Sequence, residues 1–211
     1  MTGGDGGPVA LLRRAIVESA TATRVDISGM DLRGMDLSFL RAELLTAVGT
    51  RLEGVLLGDA DLVEADLSGA NLDGANLDGA NLGMAELRGA SLRGASLRRA
   101  LLLVAFCKDA HLEGADLGRA RLEGCLFTRS DLSRACLRGV SAGEALFARA
   151  RLVGADLRDG GFVEAIFREA DLTDADLRGS DCSGADFRGA ALAGVRWDGA
   201  RTDGARFSPA P

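Results

Sequence analysis

Three residues spaced by twenty, Ser91, His111 and Asp131, have the side-chain types of a catalytic triad. His111 is the only histidine of the chain, so any histidine-dependent proton transfer would have to use it. In a regularly repeating chain these residues would stack on one flat, exposed face that offers neither a cleft nor an oxyanion hole. We therefore expect a ladder of solvated polar groups here, and predict no enzyme and no small-molecule substrate.

A run of carboxylates and amides has the oxygen donors that Ca²⁺ prefers; it comprises Asn71, Asp73, Asn76, Asp78 and Asn81. Units five residues apart must face different sides of a coiled chain, so these side chains are expected to diverge. The cysteines form no C-x-x-C pair and have no histidine at zinc spacing; they are Cys107, Cys125, Cys136 and Cys182. The sequence predicts no metal site, no disulfide framework and no cofactor.

The composition narrows the class of protein further. With 25 Lys and Arg against 31 Asp and Glu, the net charge is −6, which disfavours direct binding of nucleic acid. The N-terminus lacks the basic and apolar regions of a signal peptide, and no stretch approaches the ~18 to 20 apolar residues of a membrane span. We expect a soluble cytoplasmic protein with reduced thiols.

The elements that must position all these residues repeat every five residues, most regularly from Ala60 to Ala100. The first position of a unit is usually Ala or another small residue, the second is often Asp or Asn, the third is usually Leu or Phe, and the fifth is often Gly; Ala60-Asp61-Leu62-Val63-Glu64 is one example. In extended chain the first and third side chains point the same way, so both are expected to face the interior. The odd period requires a turn once per unit, and glycine at the fifth position favours one.

The number of units in a coil follows from the third position, where phenylalanines recur every twenty residues at Phe127, Phe147, Phe167, Phe187 and Phe207. Four units per coil would stack these rings in one column at the ~4.8 Å spacing of neighbouring strands. The spacing therefore predicts an all-β solenoid of about nine four-sided coils, each a few ångströms above the last.

The motif A-(D/N)-L-x-x resembles the pentapeptide-repeat family, as in Ala60-Asp61-Leu62, Ala75-Asn76-Leu77 and Ala170-Asp171-Leu172. The resemblance covers residues 25 to 209 and implies a right-handed quadrilateral β-helix. It also implies a function, because characterised free-standing members mimic DNA, bind DNA gyrase or topoisomerase IV, and give tolerance to quinolones or other topoisomerase poisons. This chain differs from part of that group in having neither a projecting loop nor a C-terminal helix.

Residues 1–24 are predicted to form a tail and a short N-terminal capping α-helix. Val9, Leu12, Ala15 and Ile16 have helical spacing, and the exposed end of a solenoid needs a cap. Outward apolar residues of the first coils are expected to be where this helix packs; they are Phe39, Leu44, Val48 and Leu56. Residues 25–209 are predicted to form the β-helix.

Two outward surfaces are candidates for binding a partner. The side that carries residues 60–64, 80–84 and 100–104 has an excess of carboxylates, densest in an acidic strip of Glu123, Glu144, Glu164, Asp181 and Asp203. An adjoining side has apolar residues at the second position, where Asp or Asn is usual, and these form an apolar stripe of Phe106, Leu126, Leu146 and Ile166. The stripe is either a contact site or is covered by the stems of Arg129 and Arg149.

The last coil is expected to end the β-helix without a helical cap, which would leave Trp197, Thr202 and Phe207 uncovered. We therefore predict a two-fold homodimer joined end to end through this coil.

For function, two hypotheses stay open. One is a DNA-mimicking protein that binds a type II topoisomerase through the acidic strip and gives resistance or immunity to its poisons. The other is a rigid protein–protein interaction scaffold that uses the apolar stripe.

Overall fold

The computed structural model describes residues 7–208. It contains one α-helix, α1 (Pro8–Val17), and four short strands, β1 (Thr21–Thr23), β2 (Arg41–Glu43), β3 (Asp186–Phe187) and β4 (Arg206–Phe207). The first six residues of the predicted tail, and the last residue of the predicted β-helix, lie outside the described residues. No helix within 7–208 is long and apolar enough to cross a membrane.

Parallel pairing between residues twenty apart organises the chain. Strand β1 pairs with β2, and β3 with β4, each in parallel at this spacing. Between them, isolated parallel bridges join the second position of each unit to the second position twenty residues later, from Asp26 and Thr46 to Asp181 and Arg201. The chain is therefore a β-helix whose coils hold four units each, as the phenylalanine spacing predicts.

We number the sides of the coil in chain order. Side 1 holds residues 60–64 and every unit twenty residues before or after it. Sides 2, 3 and 4 follow as residues 65–69, 70–74 and 75–79 and their equivalents.

The backbone hydrogen bonds of one unit explain its turn. In the unit that begins at Ala60, the Asp61 N–H donates to Leu40 in the coil before, while the N–H groups of Leu62 and Glu64 donate to the coil after. The Ala65 N–H then donates to the Leu62 carbonyl at 3.1 Å and closes the turn. Four of five N–H groups are thus used, and only that of the fourth position lacks a backbone partner.

In many other units the second position supplies the missing acceptor. The Asp66 Oδ1 accepts the Ser68 N–H at 3.0 Å, and the Asp116 Oδ1 accepts the Gly118 N–H at 2.9 Å. A short Asp or Asn side chain reaches the N–H two residues on, which a longer or apolar one does not. This bond is the physical reason for Asp and Asn at the second position of the repeat.

The fifth position has a left-handed backbone in every unit from Arg24 to Gly204, whether or not it is glycine. Gly89 has a φ of 63°, and Val104 reaches 56° at the same position of another unit. For a β-branched residue this conformation is strained. The fold therefore tolerates side chains at its corners at a cost in backbone energy.

The interior is narrow and filled by the first and third positions. Stacked rings run along one side, with centroid separations of 5.1 Å between Phe127 and Phe147 and 4.8 Å between Phe147 and Phe167. Phe162 meets this column edge to face, 6.3 Å from Phe147. Alanine or another small residue at the first position leaves space for these large side chains.

Helix α1 does not pack where the sequence indicated. Its buried Leu12 and Ala15 join the interior cluster of the first coils, whereas the four outward residues expected to receive it stay exposed, Phe39 by 67%. The interior side chains of the first coil would otherwise face solvent, so burying them removes more apolar area than covering scattered outward ones. The predicted packing surface of Phe39, Leu44, Val48 and Leu56 is wrong.

Replacing Phe147 with alanine should lower the free energy of unfolding by about 3–5 kcal/mol, because the ring is fully buried between two others and leaves a cavity. Phe39→Ala is the control. Phe39 is also a phenylalanine of the coil but is 67% exposed, so its loss should cost less than half as much. Equal losses in chemical denaturation would contradict this account of the core.

Candidate functional site

The apolar stripe lies along side 2 as one continuous row. Phe106, Leu126, Leu146 and Ile166 are successive partners in parallel bridges, and all four are half-buried. The guanidinium of Arg88 lies over the Phe106 ring, 5.6 Å from its centroid, and so partly covers that end.

Arg129 and Arg149 are engaged elsewhere. The Arg129 guanidinium donates two hydrogen bonds to Asp109, at 2.7 and 2.6 Å, and Arg149 donates one to Glu169 at 2.8 Å. These bonds run along the corner between sides 2 and 3 and join residues twenty apart. The charged ends of both arginines are therefore fixed to that corner, beside the stripe.

More apolar side chains adjoin the stripe across the corner between sides 1 and 2. Val104 is 49% exposed and Met84 47%, both at the corner itself, and Val163 on side 1 is 41% exposed. Leu101 and Leu103 lie half-buried on side 1 next to Val104. We call the stripe and these five residues together the apolar edge. Met84 and Val104 are twenty residues apart at the corner position, and this spacing is the signal in the sequence that could have revealed them.

Two arginines pair with three of the five carboxylates of the acidic strip on side 1. Arg121 lies 3.3 Å from Glu123, and Arg201 lies 3.2 Å from Asp181 and 3.9 Å from Asp203. Ser141 also donates a hydrogen bond to Glu123 at 2.9 Å. Part of the negative charge on side 1 is therefore offset by arginine, so this side is less acidic than the number of its Asp and Glu residues alone indicates.

Glu144 and Glu164 are the exception within the strip. Both are exposed at the corner between sides 1 and 2, and neither forms an ion pair with any residue in the range 7–208. They stand next to Leu146 and Ile166 of the stripe. The structure thus joins part of the acidic strip to the apolar edge and separates it from the paired remainder.

Three arginines at the fourth position of side 4, Arg138, Arg158 and Arg178, form a basic ladder that is also paired with carboxylates. Arg158 binds Asp156 at 2.6 Å and Arg178 binds Asp176 at 2.7 Å. The hydrogen bond from Arg178 holds the pKa of Asp176 at about 2, so this carboxylate stays charged at any physiological pH.

The possible triad residues are adjacent on side 3 but bond to other groups. Ser91 donates to Asp73, His111 lies 3.8 Å from Glu113, and Asp131 accepts from Ser133 and Arg151. Each residue is thus held in a polar ladder, and no Ser–His–Asp chain of hydrogen bonds forms among them in the described part of the chain.

The run of Asn and Asp residues serves the turns. Asn71, Asn76 and Asn81 each accept the N–H two residues on, and lie on three different sides of the coil. Residues 7–208 contain no group of His, Cys, Asp or Glu side chains arranged to hold a metal ion.

The end of the β-helix leaves interior side chains uncovered. Phe207 stacks on Phe187 at 5.2 Å and meets Trp197 edge to face at 6.1 Å. Thr202 is exposed, as is Phe207, and Trp197 is half-buried. Within the described residues, nothing covers these three side chains from the C-terminal side.

Comparison with known proteins agrees with this architecture. The family model described as Pentapeptide repeats matches eight copies, over residues 48–83, 107–141, 145–181, 162–194 and 180–208. The chain is 30% identical to HetL, a pentapeptide repeat protein involved in heterocyst differentiation regulation in the cyanobacterium Nostoc sp. strain PCC 7120. That match covers 92% of each chain with a TM-score of 0.47.

Other solved structures are more distant in sequence. Trypsin-treated QnrB1, a plasmid-mediated fluoroquinolone resistance protein, is 18% identical over 88% of this chain and 92% of its own, with a TM-score of 0.48. A pentapeptide repeat protein of the Arabidopsis thaliana thylakoid lumen is 24% identical over 70% of this chain and 65% of its own, with a TM-score of 0.22. No curated protein sequence matches the chain. The repeat motif and the matched family model together show that the chain belongs to the pentapeptide-repeat family, whose members form right-handed β-helices.

Proposed function

We propose that the chain is a rigid interaction scaffold that binds a partner protein on its apolar edge. The observation that carries this proposal is an unbroken row of four apolar side chains at an outward position. Phe106, Leu126, Leu146 and Ile166 occupy the position at which Asp or Asn accepts the turn N–H in many other units, and an apolar side chain accepts nothing. The backbone N–H groups two residues later have no hydrogen-bond partner among the described residues; they belong to Lys108, Thr128, Ala148 and Arg168.

The absence of each turn hydrogen bond lowers the free energy of unfolding by about 0.5–1.5 kcal/mol relative to a unit that has it. Val104 adds backbone strain at the same edge, since it is a β-branched residue with a φ of 56° where glycine would be relaxed. The half-buried stripe also sits outside the interior, so it does little for the core. Four successive apolar side chains on the outside of the coil, with exposed apolar neighbours across the corner, are better explained by a binding partner than by folding.

The charges beside the edge indicate the chemistry of that partner. Glu144 and Glu164 flank the stripe on one side as uncompensated carboxylates, whereas Arg129 and Arg149 on the other side are already paired. A matching protein surface would carry a row of apolar side chains with basic groups along one border. The rigid backbone reduces the entropy lost on binding.

A photo-crosslinking amino acid placed at Leu126 or Leu146 should capture one and the same partner in cells that produce this protein. The same amino acid at Ser96 is the control, because Ser96 holds the second position on the opposite side of the coil. Leu126→Asn with Leu146→Asn should abolish the capture made from Ile166. Equal capture from Ser96, or capture that survives the double substitution, would contradict the proposal.

A second candidate function follows from the family resemblance and from Glu144 and Glu164. These exposed, unpaired carboxylates could meet a basic groove of DNA gyrase or topoisomerase IV in the cytoplasm, in place of DNA, and so give resistance to topoisomerase poisons. The pairing of Glu123, Asp181 and Asp203 with arginine weakens this candidate. The charge available to imitate a duplex is small.

For this candidate, the protein should inhibit gyrase supercoiling or relieve its inhibition by ciprofloxacin at micromolar concentration. Glu144→Lys with Glu164→Lys should remove the effect. Asp174→Lys is a control, because Asp174 is another exposed corner carboxylate without an ion pair in the described range, on a different edge. Absence of any effect of the unaltered protein would rule the candidate out.

We further propose the roles of the two ends of a β-helix of about nine coils. Helix α1 would cap the first coil through Leu12 and Ala15, which are buried against the interior. At the other end, Trp197, Thr202 and Phe207 would meet the same residues of a second copy and form a two-fold dimer. Light scattering should find a dimer that Phe207→Asp converts to a monomer; a monomeric unaltered protein would contradict this.

A further inference from the structure

A depression of about 700 Å³ opens on side 4 and its corner with side 1, away from the apolar edge. It spans four successive coils. Four arginines, two aspartates, two glycines and one cysteine line it: Arg98, Arg99, Asp116, Gly118, Arg119, Cys136, Arg138, Gly139 and Asp159.

Two glycines create the depression. Gly118 occupies the fourth position between Arg98 and Arg138, and its N–H is already bound to Asp116 at 2.9 Å. Gly139 follows Arg119 in the corner column, so no side chain stands there either. The flanking arginine side chains therefore border an open space.

Two of the arginines are paired with carboxylates. Arg98 lies 3.3 Å from Asp116, and Arg138 lies 3.1 Å from Asp159. These contacts leave most of the N–H donors of each guanidinium unused, since the group carries five.

Arg99 and Arg119 make no ion pair with any carboxylate of residues 7–208, although they are neighbours in one corner column. By contrast, two arginines at the corner between sides 2 and 3 are paired, Arg129 with Asp109 and Arg149 with Glu169. The depression thus holds two more positive than negative side chains, in a chain whose net charge is −6.

The turn does not require arginine at these two positions. Arg99 and Arg119 have φ values of 57° and 59°, in the left-handed region, while Gly79 and Gly139 fill the same column directly before and after them. Two like charges in adjacent coils also repel each other. Both the strain and the repulsion are offset if an anion binds between the guanidinium groups.

We propose that this depression binds a small diphosphate-bearing molecule. Guanidinium groups match phosphoryl oxygens with paired hydrogen bonds, and arginines spread over three coils can hold two linked phosphoryl groups. Burial raises the pKa of the Cys136 thiol, so this group at the floor stays protonated and adds no negative charge.

The test uses inorganic pyrophosphate as the probe, with ionic strength held constant by sodium chloride. Titration calorimetry should detect saturable binding to the unaltered protein. Cys136 supplies a second readout, because it is partly exposed while Cys107, Cys125 and Cys182 are buried. Pyrophosphate should slow alkylation of Cys136 by iodoacetamide, measured at about pH 9 so that part of the thiol is ionised and reactive.

Arg99→Gly with Arg119→Gly should weaken pyrophosphate binding by about tenfold or more and abolish the protection of Cys136. Glycine suits the backbone at both positions, so this variant should fold, as circular dichroism can verify. Arg24→Gly with Arg134→Gly is the matched control: it removes two other corner arginines without ion pairs in the described range, both outside the depression.

The control variant should bind pyrophosphate within about twofold of the unaltered protein, since a site depends on local contacts and not on total charge. An equal loss in both double variants would show attraction by net charge alone and would overturn the proposal. Absence of saturable binding, or of any protection of Cys136, would overturn it as well.

Discussion

The structure depends on how one five-residue unit satisfies its backbone hydrogen bonds. Neighbouring coils take up three N–H groups and the turn takes up a fourth, as the unit at Ala60 illustrates. The remaining N–H, at the fourth position, needs a side-chain acceptor or water. Because Asp and Asn at the second position supply that acceptor, the outward surface of the coil is tied to the stability of its turns.

This dependence separates residues that serve the fold from residues that do not. The residue types at inward positions are determined by the volume available in the interior of the coil, as the stacked rings from Phe127 to Phe207 show. Outward Asp and Asn are fixed by the turn, and many outward arginines pair with a carboxylate two or twenty residues away. The apolar stripe and the pair Arg99 and Arg119 meet none of these needs. They are therefore the positions at which a partner or a ligand is the better explanation.

Much of the fold could be predicted from the sequence, since a strict period constrains the backbone at every unit. The twenty-residue spacing of Phe127 and Phe147 was sufficient to predict which residues pair between coils. The position of α1 could not be predicted from outward apolar residues such as Phe39. The helix packs on the open end of the coil because this surface offers more apolar area to bury than the outward side chains do. The ion pairs of Arg201 with Asp181 and Asp203 could not be predicted by counting charges. They depend on how far the arginine side chain reaches, both within its own coil and to the coil before.

The central claim is that the apolar stripe serves binding and not folding, and its most direct test is the stability of Leu126→Asn with Leu146→Asn. Asparagine regains the two turn hydrogen bonds while losing only partly buried apolar area. The free energy of unfolding should stay within about 1–2 kcal/mol of the unaltered protein, whereas Leu132→Asn, which places an amide in the interior, should be strongly destabilising. A loss in the double variant as large as that of Leu132→Asn would contradict the account.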